Sequence, residues 1–101
     1  MLTEAALADL RGYVKRRIRA AQYKVGSVWY DLTISEIAIT SDGVVRVKCP
    51  IAPGRACTVS GIRLISSAGA VWATKKFSVV IESAQVNLLQ WFDFEITEVE
   101  S

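Results

Sequence analysis

The chain has 101 residues, a length that suits one domain burying roughly 65% of its unfolded surface. Its apolar share is 51%, more than a monomer this small easily hides, and a partner surface is expected. There is no histidine, which removes the commonest general base, the usual Ser-His and Cys-His pairs and the commonest metal ligand, so enzymatic readings fall away.

The formal charge of +2 conceals a lopsided layout. Between Met1 and Val25, Arg11, Lys15, Arg16, Arg17, Arg19 and Lys24 face only Glu4 and Asp9, while the last twenty residues carry Glu82, Asp93, Glu95, Glu98 and Glu100 and no Lys or Arg. Two arrangements account for such opposed ends. The helix can lie near its own C-terminal strand, the favoured reading, or subunits can meet head to tail.

In chain order, Thr3 is a plausible N-cap, with Glu4 in the first turn and Ala5 and Ala6 behind it. Leu7, Leu10, Val14, Ile18 and Ala21 recur at steps of three and four, which predicts a helix over about 3–22. Neither a signal peptide nor a membrane span is read there, because acids interrupt the segment early. Arg11, Lys15 and Arg19 sit four apart with Arg16 beside them. Such a ridge can grip phosphates, but no aromatic or glycine-rich reader accompanies it, so a solvated or acid-paired face is preferred.

A β-domain is expected over about 24–100. Lys24 to Tyr30 reads as a short strand with Gly26 inside it, and Thr33 to Thr40 as a clean alternating strand. Asp42-Gly43 then signals a hairpin into Val44 to Ile51, where Val45, Val47 and Cys49 share one face and Pro50 marks an edge or the end. Pro53-Gly54 fits a type II turn. Cys57 to Ile65 and the strand from Val71 form a hairpin about Ser66-Ser67-Ala68-Gly69, around which the rest is organised. Lys75 and Lys76 interrupt the second arm before Phe77 to Ile81 resumes it, and Leu88 to Val99 is the last strand. About seven short strands after one helix, without βαβ alternation, predict a mainly β fold: an antiparallel sandwich or meander with one N-terminal helix, in a single domain over 1–101.

Several strands carry large apolar residues on both faces, so part of the second face is expected under the helix and the rest against another subunit. Trp29, Ile65, Trp72, Val80 and Trp91 are the interface candidates, with Arg11, Lys15, Arg16, Arg19, Asp93 and Glu95 as an electrostatic set. Cys49 and Cys57 flank the Pro53-Gly54 turn and are within reach of each other across a hairpin. Reduced, packed thiols are the preferred reading. Asp93 and Glu95 have the spacing of paired carboxylates, and Ser66 or Ser67 with Lys75 or Lys76 that of a Ser-Lys pair. Neither has a signal of burial, and a solvated face explains the acids better. No P-loop, dinucleotide-binding or zinc spacing is present, and no cofactor or metal is expected.

The run from Ile37 to Trp72, with IAITSDGVVRVKCPIAP followed by TVSGIRLISSAGAVWA, resembles the pattern of bacteriophage tail-collar fibre and related small tail proteins. Gly61, Ile62, Leu64, Gly69 and Trp72 match it, and Leu2 to Leu7 is similar to the short helical opening of such proteins. The resemblance implies a non-enzymatic virion component of the tail, baseplate or fibre attachment, assembled in the host cytoplasm. Its partners would be other copies of itself and other virion proteins, rather than nucleic acid or a membrane. Fibre proteins continue into long repeats, so a chain ending at Ser101 is expected to be a small free-standing component. A capsid decoration protein would use the same features. A nucleic-acid-binding module acting through the basic helix is the second class of reading, and a small enzyme with a pocket lined by Asp93 and Glu95 is the third and least favoured.

Overall fold

Helix α1 (Glu4–Arg17) starts where the capping chemistry places it. Thr3 is extended, its Oγ1 accepts a hydrogen bond from the Ala6 amide at 3.1 Å, and its carbonyl accepts from Leu7 at 3.0 Å. The computed structural model describes residues 2–96, so the expected continuation of the last strand through Thr97 to Val99, and Glu98 and Glu100, lie outside the described residues.

The helix ends at Arg17, five residues earlier than its periodicity predicts, and Ile18 opens strand β1 (Ile18–Val25) with no loop between them. A bulge explains the misreading. Ile18 pairs with Ser66 but Ala20 pairs with Ile65, so Arg19 is an extra residue, and the step of three from Ile18 to Ala21 keeps both on the buried face of a strand. An inserted residue has turned a period of two into an apparent helical one. The predicted strand over Lys24 to Tyr30 divides likewise: Gly26, at φ +62°, and Ser27 form a two-residue turn between β1 and β2 (Val28–Leu32), with Gly in the first turn position as a II′ hairpin requires.

Strand β3 is limited to Glu36–Ile39 and turns through Asp42-Gly43 into β4 (Val44–Ile51). Thr40 organises that turn, with its side chain bonded to the Asp42 carboxylate and to the Val44 amide. Pro50 stays inside β4 rather than ending it, because β3 reaches only as far as Lys48 and the proline faces a vacated position. Strands β5 (Cys57–Ser66) and β6 (Val71–Ile81) form the central hairpin, and β6 runs unbroken through Lys75 and Lys76. The buried Ser66 sets its turn, its Oγ accepting from the Ala68 and Ala70 amides at 3.3 Å each. Strand β7 (Leu88–Glu95) completes the set.

All pairings are antiparallel, in a four-stranded sheet ordered β2-β1-β5-β6 and a three-stranded sheet ordered β3-β4-β7. The two form a sandwich. Val47, Cys49 and Ile51 of one sheet meet Val59, Ile62 and Leu64 of the other, all fully buried, and each such aliphatic side chain contributes about 1.5–3 kcal/mol by leaving water. Alternation then turns Arg46, Lys48 and Trp91 outward from the three-stranded sheet, and Gln22, Lys24, Arg63 and Ile65 outward from the four-stranded one.

The helix closes one end of the sandwich instead of covering an outer face. Leu7 is buried and Val14 reaches the core, while Leu10 and Tyr13 remain exposed. Arg11 fastens it there, donating from Nε to the Gly43 carbonyl at 3.1 Å and from Nη2 to the Ile96 carbonyl at 2.9 Å. The last helical carbonyl, that of Arg17, accepts from the Ser67 amide at 2.8 Å, so the central hairpin holds the helix end. The molecule measures 50 × 26 × 25 Å.

Candidate interaction surfaces

The residues expected at one interface divide between opposite sides of the sandwich. Trp29, Ile65 and Val80 belong to the outer face of the four-stranded sheet, and Trp72 lies at the Ile65 end of the same sheet, where a register shift makes it an extra residue beside Val71. Trp91 is on the outer face of the other sheet, one residue from the inward Phe92. Exposure is substantial on both: Val80 64%, Val71 49% and Trp72 37% on the first, Leu89 52% and Trp91 43% on the second. Ile65 and Trp29 are only half-buried. Each outer face therefore leaves large apolar side chains open to solvent.

On the four-stranded face, Trp29 reaches from the edge strand β2 across β1 to β5. A β-carbon on Gly61 would stand 3.1 Å from the Lys75 carbonyl oxygen, a tight approach to backbone, and 3.7 Å from Trp29 Cη2, an ordinary contact, so glycine suits the close strand pairing beneath the ring. The Arg63 guanidinium stacks 4.2 Å from the Trp29 ring centroid, with Lys24 Nζ at 5.7 Å. Arg63 donates to Gln22 and Gln22 to Asp31, each at 2.8 Å, a polar row across three strands. Beside it a groove of about 250 Å³ is lined by Lys24, Trp29, Ser60, Gly61, Thr74 and Lys76. Among the described residues neither Lys24 nor Lys76 has a carboxylate partner.

The three-stranded face is paired instead. Arg46 holds Asp93 through two hydrogen bonds of 2.8 and 2.9 Å, and Lys48 meets Glu36 at 2.9 Å. The Arg46 guanidinium also stacks on Trp91, 5.2 Å from its centroid. Hydrogen bonding from Arg46 keeps the Asp93 carboxyl below its ordinary pKa and raises that of Arg46. Glu95 lies at the end of this face opposite Val44, exposed and without an ion pair among the described residues.

The basic ridge expected on the helix does not exist as a unit. Arg19 belongs to the bulge in β1, and Arg11 spends its guanidinium on two backbone carbonyls, leaving Lys15 and Arg16 exposed on the helix. The cationic residues that do converge, Lys24, Arg63 and Lys76, come from three strands, and sequence spacing gives no hint of that. Only Gly61 inside a strand could have signalled a close approach there.

Of the residues weighed for chemistry, Asp93, Ser66 and Lys75 are engaged elsewhere, while Glu95 and Lys76 have no ion-pair partner among the described residues. Asp93 is bound to Arg46, the Ser66 hydroxyl serves its own turn, and Lys75 Nζ donates to the Trp91 carbonyl at 2.8 Å across the open side of the sandwich. Cys49 and Cys57 are free thiols on different sheets, paired with Gln90 and Ile81, not with each other. Burial pushes the Cys49 thiol up to about 11, with Lys75 opposing the shift. A second groove of about 390 Å³ lies along Tyr23, Asp31, Leu32, Thr33, Pro50 and Ala52. No helix among the described residues is long and apolar enough to cross a membrane. Compared with family models, curated proteins and solved structures, the chain matches none.

Proposed function

We propose that this chain is a non-enzymatic structural protein that acts by protein–protein assembly, as a tail, baseplate or fibre-attachment component of a bacteriophage virion. The observation that carries the assembly reading is the exposure of Trp72, Val80, Leu89 and Trp91 on both outer faces of the sandwich. An antiparallel sheet facing only water would present polar side chains at those positions. The virion setting rests on the resemblance of Gly61, Ile62, Leu64, Gly69 and Trp72 to the tail-collar pattern. A capsid decoration role would draw on the same surfaces.

The second reading, nucleic-acid binding, moves from the helix to the strands, where Lys24, Arg63 and Lys76 surround Trp29. Arg63 already occupies a face of that ring, which reduces its use for stacking a base. Light scattering at two salt concentrations, with and without DNA, decides between them. A discrete oligomer indifferent to DNA is the expected result. A chain that stays at 11.1 kDa, binding DNA at low salt and releasing it at high salt, refutes assembly in favour of the cationic groove.

A further inference from the structure

Assembly leaves open which surface meets which. We infer that copies of this chain stack face to back, the outer face of the four-stranded sheet of one copy against the outer face of the three-stranded sheet of the next. This rests on the assembly reading above.

The first argument is that both faces carry exposed apolar side chains. A twofold contact buries the same patch on both copies and would leave either Val80 and Trp72 or Leu89 and Trp91 in water, whereas a face-to-back contact covers both sets. Charge supplies the second. Among the described residues of its strands, the four-stranded face carries Lys24, Arg63 and Lys76 against one acid, Asp31, and none of the three cations is ion-paired. On the opposite face Arg46 and Lys48 are already matched by Asp93 and Glu36, and Glu95 is left over. Positive therefore meets negative only when unlike faces meet, and a like-with-like contact at the four-stranded face would oppose its lysines to their own copies.

Extension through the strand edge of β7 is disfavoured by the third observation. The Trp91 carbonyl already accepts from the Lys75 ammonium, and a charge lying along an edge blocks the pairing of a further strand. Area is sufficient: a molecule of 50 × 26 × 25 Å offers on each broad face on the order of 1,000 Å², similar to the ≈ 800 Å² per partner of a standard interface. Because the contact joins two different patches, it is heterologous, and its copies form a closed ring or a filament rather than a dimer.

The test uses two variants of the full chain, Val80→Asp on one face and Leu89→Asp on the other, at the most exposed apolar position of each. Circular dichroism first establishes that both melt like the parent, and Val80→Ser and Leu89→Ser replace any variant that does not. Sedimentation velocity should show the parent as a species larger than a dimer and each variant alone at 11.1 kDa. An equimolar mixture should form a 1:1 pair, because each variant retains the face the other lacks. If Val80→Asp dissociates the parent assembly and Leu89→Asp leaves it intact, or the reverse, the contact is twofold and the face-to-back arrangement is wrong while assembly stands. Two variants that are both monomeric and do not pair on mixing overturn it as well. A parent that is itself a monomer overturns the assembly reading and this inference together.

Discussion

Replacing Gly43 by alanine tests the claim that Arg11 is a structural tie and not part of a phosphate-binding ridge. Gly43 is buried at φ +86°, a left-handed conformation that costs a residue with a β-carbon about 1 kcal/mol or somewhat more. The added carbon would also stand 2.5 Å from Arg11 Nη2 and 2.8 Å from Cζ, so the guanidinium must withdraw. Withdrawal weakens its bonds to the Gly43 and Ile96 carbonyls. Charge-assisted bonds of this kind contribute about 1.5–3 kcal/mol each at best, and less when partly solvated, so Gly43→Ala should cost about 2–4 kcal/mol in all. For a domain of this size that lowers the melting temperature by roughly 10–25 °C. Urea unfolding of the parent, Gly43→Ala, Arg11→Ala and the double variant measures the coupling. In the double variant the clash is gone, so its stability should fall within about 1.5 kcal/mol of Arg11→Ala alone, the remainder being backbone strain. Strict additivity, or a loss under about 0.5 kcal/mol for Gly43→Ala, would refute the reasoning.

Three further outcomes are expected. Thr3→Ala removes the acceptor for the Ala6 amide and should lower stability by about 1 kcal/mol, seen as an earlier thermal transition with helix signal lost. Ser66→Ala leaves two turn amides without their acceptor and should cost about 1–2 kcal/mol, with faster hydrogen exchange at Ala68 and Ala70; unchanged exchange there would show that the hydroxyl does not hold the turn. The Cys49 thiol is raised by burial from 9.0 to about 11, so the folded state binds the proton more tightly than the unfolded one. Stability should be unaffected below pH 9.0, decline by at most about 1.4 kcal/mol per pH unit as pH rises towards 11, and level off beyond. Chemical denaturation across that range should show a shallower decline in Cys49→Ala, and parallel curves would contradict the assignment.

How far the sequence revealed this molecule depends on whether a residue's role is local. Thr3, Asp42-Gly43 and the alternation of Val45, Val47 and Cys49 are local signals, and the cap, the hairpin and the inner face of β4 follow from them. Ile18 and Ala21 misled because a bulge is invisible until the partner strand is known. Exposure of Trp72, Val80 and Trp91 was legible from strands apolar on both sides. Their separation onto opposite faces was not, since it depends on β7 joining β4 while β6 joins β5. The same non-local pairing of β1 with β5 gathers Lys24, Trp29, Arg63 and Lys76, residues without a shared motif. Arg11 looked like one of a basic set until the helix was placed across Gly43 and Ile96.

The junction at Arg17 and Ile18 has a mechanical consequence. With no intervening loop, and with the Arg17 carbonyl held by Ser67, the helix runs directly into β1, a strand bonded along both its sides. A pull on the amino-terminal end is shared between the middle of the four-stranded sheet, through the covalent junction, and the three-stranded side, through the Arg11 bonds to the Gly43 and Ile96 carbonyls. A body that grips the helix therefore sets the angle of the whole sandwich.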